Sequence, residues 1–133
     1  MDCIIDTSIL VDYILIDSEF HKRAEAGLEK ISIGFLPTVV IEEMVYVLHR
    51  LKLSKRLIGE KVEEVLSSYE ILSLKTGNML EANKMIITEN NTTFKRFNDK
   101  LILSAAKDRG IPLFTFDQNL ARECRENGVG IIL

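Results

Sequence analysis

The sequence predicts an α/β domain with a parallel sheet covered by helices on both faces. Two observations carry this prediction. Short, continuous apolar runs alternate with longer amphipathic segments along the whole chain. The runs lack the apolar/polar alternation of a half-solvated sheet, as expected for strands buried on both sides. The 133 residues suit one domain, 1–133, long enough to bury a core without disulfides or metal staples.

Residues 2–5 form the first expected strand. Ser8 is placed to cap a short helix reaching Ile16, because a hydroxyl there accepts orphan backbone donors. A second helix is expected over 18–30 and a strand over 32–36, stopped by Pro37. Thr38 then caps a helix to Leu51, and Ser54 caps the next, to Ser68. Further expectations are a strand over 70–74, a helix over 76–89, a loop over 89–93 and a helix over 97–109 that stops at Gly110. A strand over 112–116, a helix from Gln118 to Glu126 and a strand from Gly130 to Leu133 complete the alternation.

With 47% hydrophobic and 28% charged residues, the composition is that of a compact soluble protein. No run approaches the roughly 20 apolar residues of a membrane span. The acidic start, with Asp2 and Asp6, lacks the basic region of a signal peptide. Cys3 and Cys124 have neither metal spacing nor a disulfide framework, so a cytoplasmic setting is expected. The net charge of -3 argues against a general electrostatic nucleic-acid binder. It is compatible with a nuclease whose acids are masked by metal. Local basic patches at His49, Arg50, Lys52, Lys55 and Arg56, and at Lys95, Arg96 and Lys100, would meet a nucleic acid, or are simply solvated surface.

Four carboxylates stand where an apolar or neutral residue is usual. Asp6 closes the apolar run Cys3-Ile4-Ile5, and Asp117 closes Leu113-Phe114-Thr115-Phe116. Ligand sites of open parallel sheets form beyond the carboxyl ends of the strands, so these two acids are expected on one sheet edge. Each also has an ordinary reading, as a turn residue or a helix cap. In the helix 38–51, Val40, Met44, Val47, Leu48 and Leu51 form the apolar stripe. Glu42 points away from it with His49, whereas Glu43 lies at its border between Val39 and Val47. In the helix 97–109, Asp99 projects among Ile102, Leu103 and Ala106, with Lys100, Ser104, Lys107 and Asp108 on the polar face. First-turn placement beside the helix macrodipole explains an acid there, though not one on the buried side. Buried carboxylates cost several kcal/mol unless paired or bound to cations. With no Lys or Arg motif evident to match them, the cluster reads as a site for a divalent metal.

The segments Ile5-Asp6-Thr7-Ser8-Ile9-Leu10, Pro37 to Leu48, Phe97 to Ala106 and Leu113-Phe114-Thr115-Phe116-Asp117 resemble the PIN-domain family, and within it the VapC-type toxins of toxin–antitoxin systems. The resemblance covers essentially the whole chain and rests on four motifs in order. It implies a three-layer α/β/α fold and a ribonuclease dependent on Mg²⁺ or Mn²⁺. It implies Asp6, Glu43, Asp99 and Asp117 as catalytic and metal-holding acids, with Thr7 or Ser8 and Thr115 as nearby hydroxyls. It further implies RNA products with a 5′-phosphate and a 3′-hydroxyl, a homodimer, and a small antitoxin partner. The helices at 38–51 and 54–68 are candidate surfaces for such partners. PIN domains also process RNA outside toxin–antitoxin systems.

Other classes fit less well. A phospho-acceptor regulator would want paired acids at the end of the first strand and a Lys after a late one. Here Asp2 is at the wrong end and no Lys follows 112–116. A binding module with a vestigial acid pocket stays open. A nucleophilic triad and a glycine-rich phosphate loop have no support in the sequence.

Overall fold

A computed structural model describes residues 1–132. Five parallel strands, β1 (Cys3–Ile5), β2 (Gly34–Pro37), β3 (Glu70–Leu72), β4 (Leu113–Phe114) and β5 (Ile131–Ile132), form one sheet in the order β3-β2-β1-β4-β5. Burial follows strand position. The central strand β1 is wholly buried, while edge strands β3 and β5 are partly exposed. Of the last expected strand, Leu133 lies outside the described residues.

Seven helices connect the strands: α1 (Thr7–Ile14), α2 (His21–Glu29), α3 (Thr38–Arg50), α4 (Lys55–Ser68), α5 (Thr76–Thr88), α6 (Phe97–Arg109) and α7 (Gln118–Glu126). Helices α1–α4 pack on one another, and α5–α7 do likewise. Strand order and crossover handedness explain this division. The chain moves from β1 to β3 in one direction across the sheet, then jumps back to β4 and continues to β5. Right-handed crossovers therefore put α1–α4 on one face and α5–α7 on the other, giving the three-layer α/β/α fold. The core between them includes Ile4, Ile5, Leu36, Met44, Leu48, Ile102, Leu103 and Phe114. Gly27 of α2 lets this helix approach closely, because a Cβ there would run into the Phe114 ring.

Several local expectations change. Ser8 does not cap α1; it lies in the first turn, after Asp6 at the N-cap position. Its hydroxyl is taken by longer-range partners. Pro37 ends β2 from inside the strand, pairing with Leu72, and Thr38 is the first residue of α3 rather than its cap. Ser54 does cap α4, accepting from the Leu57 amide at 3.1 Å. Helix α6 ends at Gly110, whose φ of 64° is the left-handed stop expected of glycine.

The largest difference concerns α6. Lys100 and Ser104, expected on a polar face, are each 1% exposed, and everything from Lys100 to Ala106 is buried. Contact with α5 on one flank and α7 on the other leaves the middle of this helix no solvent face. Ser104 accepts from Asn78 of α5, and Lys100 pairs with Glu123 of α7.

Candidate active site

The reversal of strand order lies between β1 and β4, and their carboxyl ends form one edge. Helices α1, α3 and α7 begin at that edge directly after a strand, and α6, which leads back into the amino end of β4, also begins there. Asp6 ends β1, Asp117 is the N-cap of α7, Asp99 is in the first turn of α6 and Glu43 is in the second turn of α3. Topology alone thus brings four distant segments to one place.

Hydroxyls bind the edge together. The Thr115 hydroxyl donates to Asp6 Oδ2 at 2.6 Å and accepts from the Asp117 amide at 3.0 Å. Ser8 donates to the same Oδ2 at 3.1 Å and accepts from the Phe116 amide at 3.1 Å. Each hydroxyl has one proton, and both spend it on the same oxygen of Asp6. Thr7 reaches across to α3 and donates to Glu43 Oε1 at 3.2 Å. Asp117 Oδ1 accepts from the amides of Asn119 and Leu120, so it caps α7 as well as facing the site. Glu42 is exposed, whereas Glu43 is partly buried against Thr7.

The electrostatics are those of crowded like charges. Burial raises the pKa of Asp6; hydrogen bonds from the Thr115 hydroxyl, the Thr7 backbone and the Ser8 hydroxyl offset part of the rise, and the Asp117 charge adds a smaller push. Burial raises Glu43 too, and the charges of Asp6 and Asp99 add to it. Asp99 is raised by burial, with Asp6 and Asp117 adding to it, despite its ion pair with Arg96. Asp6, Glu43 and Asp99, from three separate segments, therefore each feel the charge of neighbouring acids.

Arg96 is the residue that the sequence reading misplaced. It donates through Nε and Nη2 to Asp99 Oδ2, at 3.3 and 3.1 Å, and its Nη1 pairs with Glu123. Glu123, 8% exposed, also takes Lys100 Nζ at 3.0 Å, and Lys100 extends to Glu89 at 2.6 Å. So one of the four acids, Asp99, does have a basic partner, and Lys100 and Arg96 are engaged in ion pairs rather than forming a surface patch for nucleic acid. Glu123 gave a usable signal: it falls beside Leu120 and Cys124 on the buried side of α7. Cys3 and Cys124 are free and buried, and burial pushes both thiols up to about 12, which leaves them inert.

The donor set fits a hard divalent cation, being all oxygen. Direct hydrogen bonds fall on one oxygen of each acid: Oδ2 of Asp6 and Asp99, Oε1 of Glu43 and Oδ1 of Asp117. Among the described residues, however, no three His, Cys, Asp or Glu side chains already converge as a closed metal shell. Mg²⁺ commonly keeps several waters and takes one or two carboxylates directly, so a looser arrangement suits it.

The family model described as PIN domain matches residues 3–125. No curated protein sequence matches the chain. Among solved structures, it is similar to VapC20 of Mycobacterium tuberculosis, described as a Sarcin-Ricin loop cleaving toxin. There the TM-score is 0.80 and the identity 14%, over 91% of this chain and 94% of that one. FitAcB from Neisseria gonorrhoeae gives a TM-score of 0.72 at 16% identity, covering 100% and 97%. VapBC2 from Rickettsia felis, bound to a DNA fragment from its promoter, gives 0.67 at 20%, covering 99% and 98%. On the family match and this fold, the chain belongs to the PIN domain family.

Proposed function

We propose that this protein is a Mg²⁺- or Mn²⁺-dependent endoribonuclease and the toxin of a VapBC-type toxin–antitoxin pair. The observation that carries the reading is the meeting of Asp6, Glu43, Asp99 and Asp117 at the switch point of the sheet, where burial raises the pKa of Asp6, Glu43 and Asp99 and each also feels the charge of a neighbouring acid. Family membership supplies the reaction class. The toxin role rests on similarity to structures described as toxins or toxin–antitoxin complexes.

A bound divalent cation would supply charge neutralisation at the scissile phosphate and activation of the attacking water. The protein's part is to hold the acids. Asp6 is fixed by Ser8 and Thr115, and these hydroxyls keep its carboxylate facing the edge. Glu43 is steadied by Thr7, and Asp117 by two amides of α7. Asp6 and Asp99 are the central ligands in this reading, with Glu43 and Asp117 completing the site directly or through water.

RNA would approach beside Glu43. A concavity of about 460 Å³ is lined by Glu42, Glu43, Tyr46, Val47, Arg50 and Asn98. Tyr46 is 62% exposed and carries the Arg50 guanidinium 5.7 Å from its ring centroid. An exposed ring beside an acid site suits an unstacked base, and single-stranded RNA presents such bases. His49, Arg50, Lys52, Lys55 and Arg56 are all exposed, and in this reading they would supply positive charge to the RNA backbone. A homodimer and an antitoxin whose segment covers the acid edge belong to the same proposal.

The test is cleavage of a mixed RNA pool with and without Mn²⁺, with end mapping. Wild type should yield 5′-phosphate and 3′-hydroxyl ends only with metal, and Asp99→Asn should yield none while keeping its fold. Unchanged cleavage by Asp99→Asn would sink the reading.

A further inference from the structure

We propose that Arg96 is a built-in counter-ion of the acid site, holding Asp99 when no divalent cation is bound and opposing the cation's entry. This rests on the metal-site reading above and adds a residue to it. The guanidinium contacts Asp99 Oδ2 with two nitrogens, so it occupies one of the oxygens a cation would use. Asp99 also feels Asp6 and Asp117, so the positive charge of Arg96 is set into a group of acids rather than into an isolated pair.

Arg96 is itself held from behind. Its Nη1 pairs with Glu123, whose other oxygen takes Lys100. Lys100 is 1% exposed, so Glu123 is anchored in the interior and Arg96 is clamped between a buried acid and a site acid. The Arg96 side chain is 24% exposed, which leaves it room to turn from Asp99 while keeping Glu123. A guanidinium so placed relieves the repulsion among the acids, which explains how four of them share one edge. A divalent cation does the same with twice the charge, so the two compete for Asp99.

Mn²⁺ titration of chelator-stripped protein by calorimetry, paired with thermal melts, tests this. Arg96→Gln should bind Mn²⁺ about three- to tenfold tighter than wild type, as follows from removing one positive charge several ångströms from the ion in a partly solvated site. In chelator the variant should melt lower than wild type, and saturating Mn²⁺ should close that gap. A merely structural arginine would lower both melts equally and leave the affinity unchanged. Equal or weaker Mn²⁺ binding by Arg96→Gln overturns the proposal. Should that variant fail to fold, Arg96→Met, whose unbranched stem preserves packing, carries the same expectation. Asp99→Asn separates the two levels. If wild type binds Mn²⁺ and Asp99→Asn does not, but the Arg96 variants bind like wild type, the counter-ion role alone falls. If wild type does not bind Mn²⁺, both fall.

Discussion

Replacing Lys100 with Met should cost about 2–4 kcal/mol of stability, and the size follows from its surroundings. The ammonium is 1% exposed and touches Glu123, 8% exposed, and Glu89, 45% exposed. Removing one partner of a buried pair costs about 3–5 kcal/mol when the other is left uncompensated. Glu123 keeps Arg96 and is not left uncompensated, so this loss falls below that range, to about 2 kcal/mol. The half-exposed Glu89 pair adds less than about 1 kcal/mol. Met refills most of the stem volume, which holds the packing loss below about 1.5 kcal/mol. Urea unfolding in chelator is the assay, with an unchanged m-value as the control for a common denatured state. The double variant Lys100→Met, Glu123→Gln should be less destabilised than the sum of the single variants. Burial alone would lower the Lys100 pKa, but the hydrogen bonds and charges of Glu89 and Glu123 outweigh it and hold it above the ordinary 10.5. The folded value lies above the unfolded one, so this contribution is complete below 10.5 and is lost as pH rises through the folded value. The gap between wild type and variant should therefore narrow only in strong alkali. A loss under about 1 kcal/mol together with full additivity would refute a supporting role for the pair.

Three further outcomes follow from the acids. Asp6→Asn should raise the melting temperature in chelator and abolish the Mn²⁺-induced rise, because Asn keeps an acceptor for Ser8 and Thr115 but sheds a buried charge. The pH dependence has the same origin: Asp6, Glu43 and Asp99 have folded pKa values raised chiefly by burial. Folding is thus penalised above those values and relieved as pH falls through them, so wild type in chelator should gain stability on mild acidification and Asp6→Asn should gain less. A lower melting point for Asp6→Asn in chelator would show that the charge is a net structural asset. Asp117 separates capping from metal binding. Asn caps as well as Asp, so Asp117→Asn should keep its urea midpoint yet lose metal-dependent cleavage, whereas Asp117→Ala should also lose about 1 kcal/mol. Full cleavage by Asp117→Asn would remove this acid from the site.

Much of the architecture was legible because strands buried on both faces and helices with one apolar stripe leave clear periodicities. The same wheel that set Glu43 apart from Glu42 failed for Lys100 and Ser104. It assumes that one side of a helix meets water, and α6 has helices on both flanks. Ser8 was misread for a related reason: local spacing suggests a cap, but Asp6 and the Phe116 amide, the latter 108 residues away, compete for the hydroxyl. Ser54 has no such competitor and caps as expected. The contact of Arg96 with Asp99 is a local i,i+3 pair, but its contact with Glu123 reaches from the start of α6 to α7 and has no signature in either segment alone.

The ordinary and the functional readings of these acids are not rivals. Asp117 caps α7 with one oxygen while the other remains for a ligand, and Asp99 sits in a first turn that would favour an acid in any case. Helices starting at the carboxyl edge of a parallel sheet present free amides, and Asp117 supplies an acceptor for two of them. A sheet whose strand order reverses brings several such starts together, so acids near them form a cluster. In the proposed function a cation would neutralise that cluster. Arg96 meets only part of the need, because Glu123 draws on the same guanidinium. The edge therefore holds more acids than bases after every internal pairing is counted, an imbalance that the proposed divalent ion would offset.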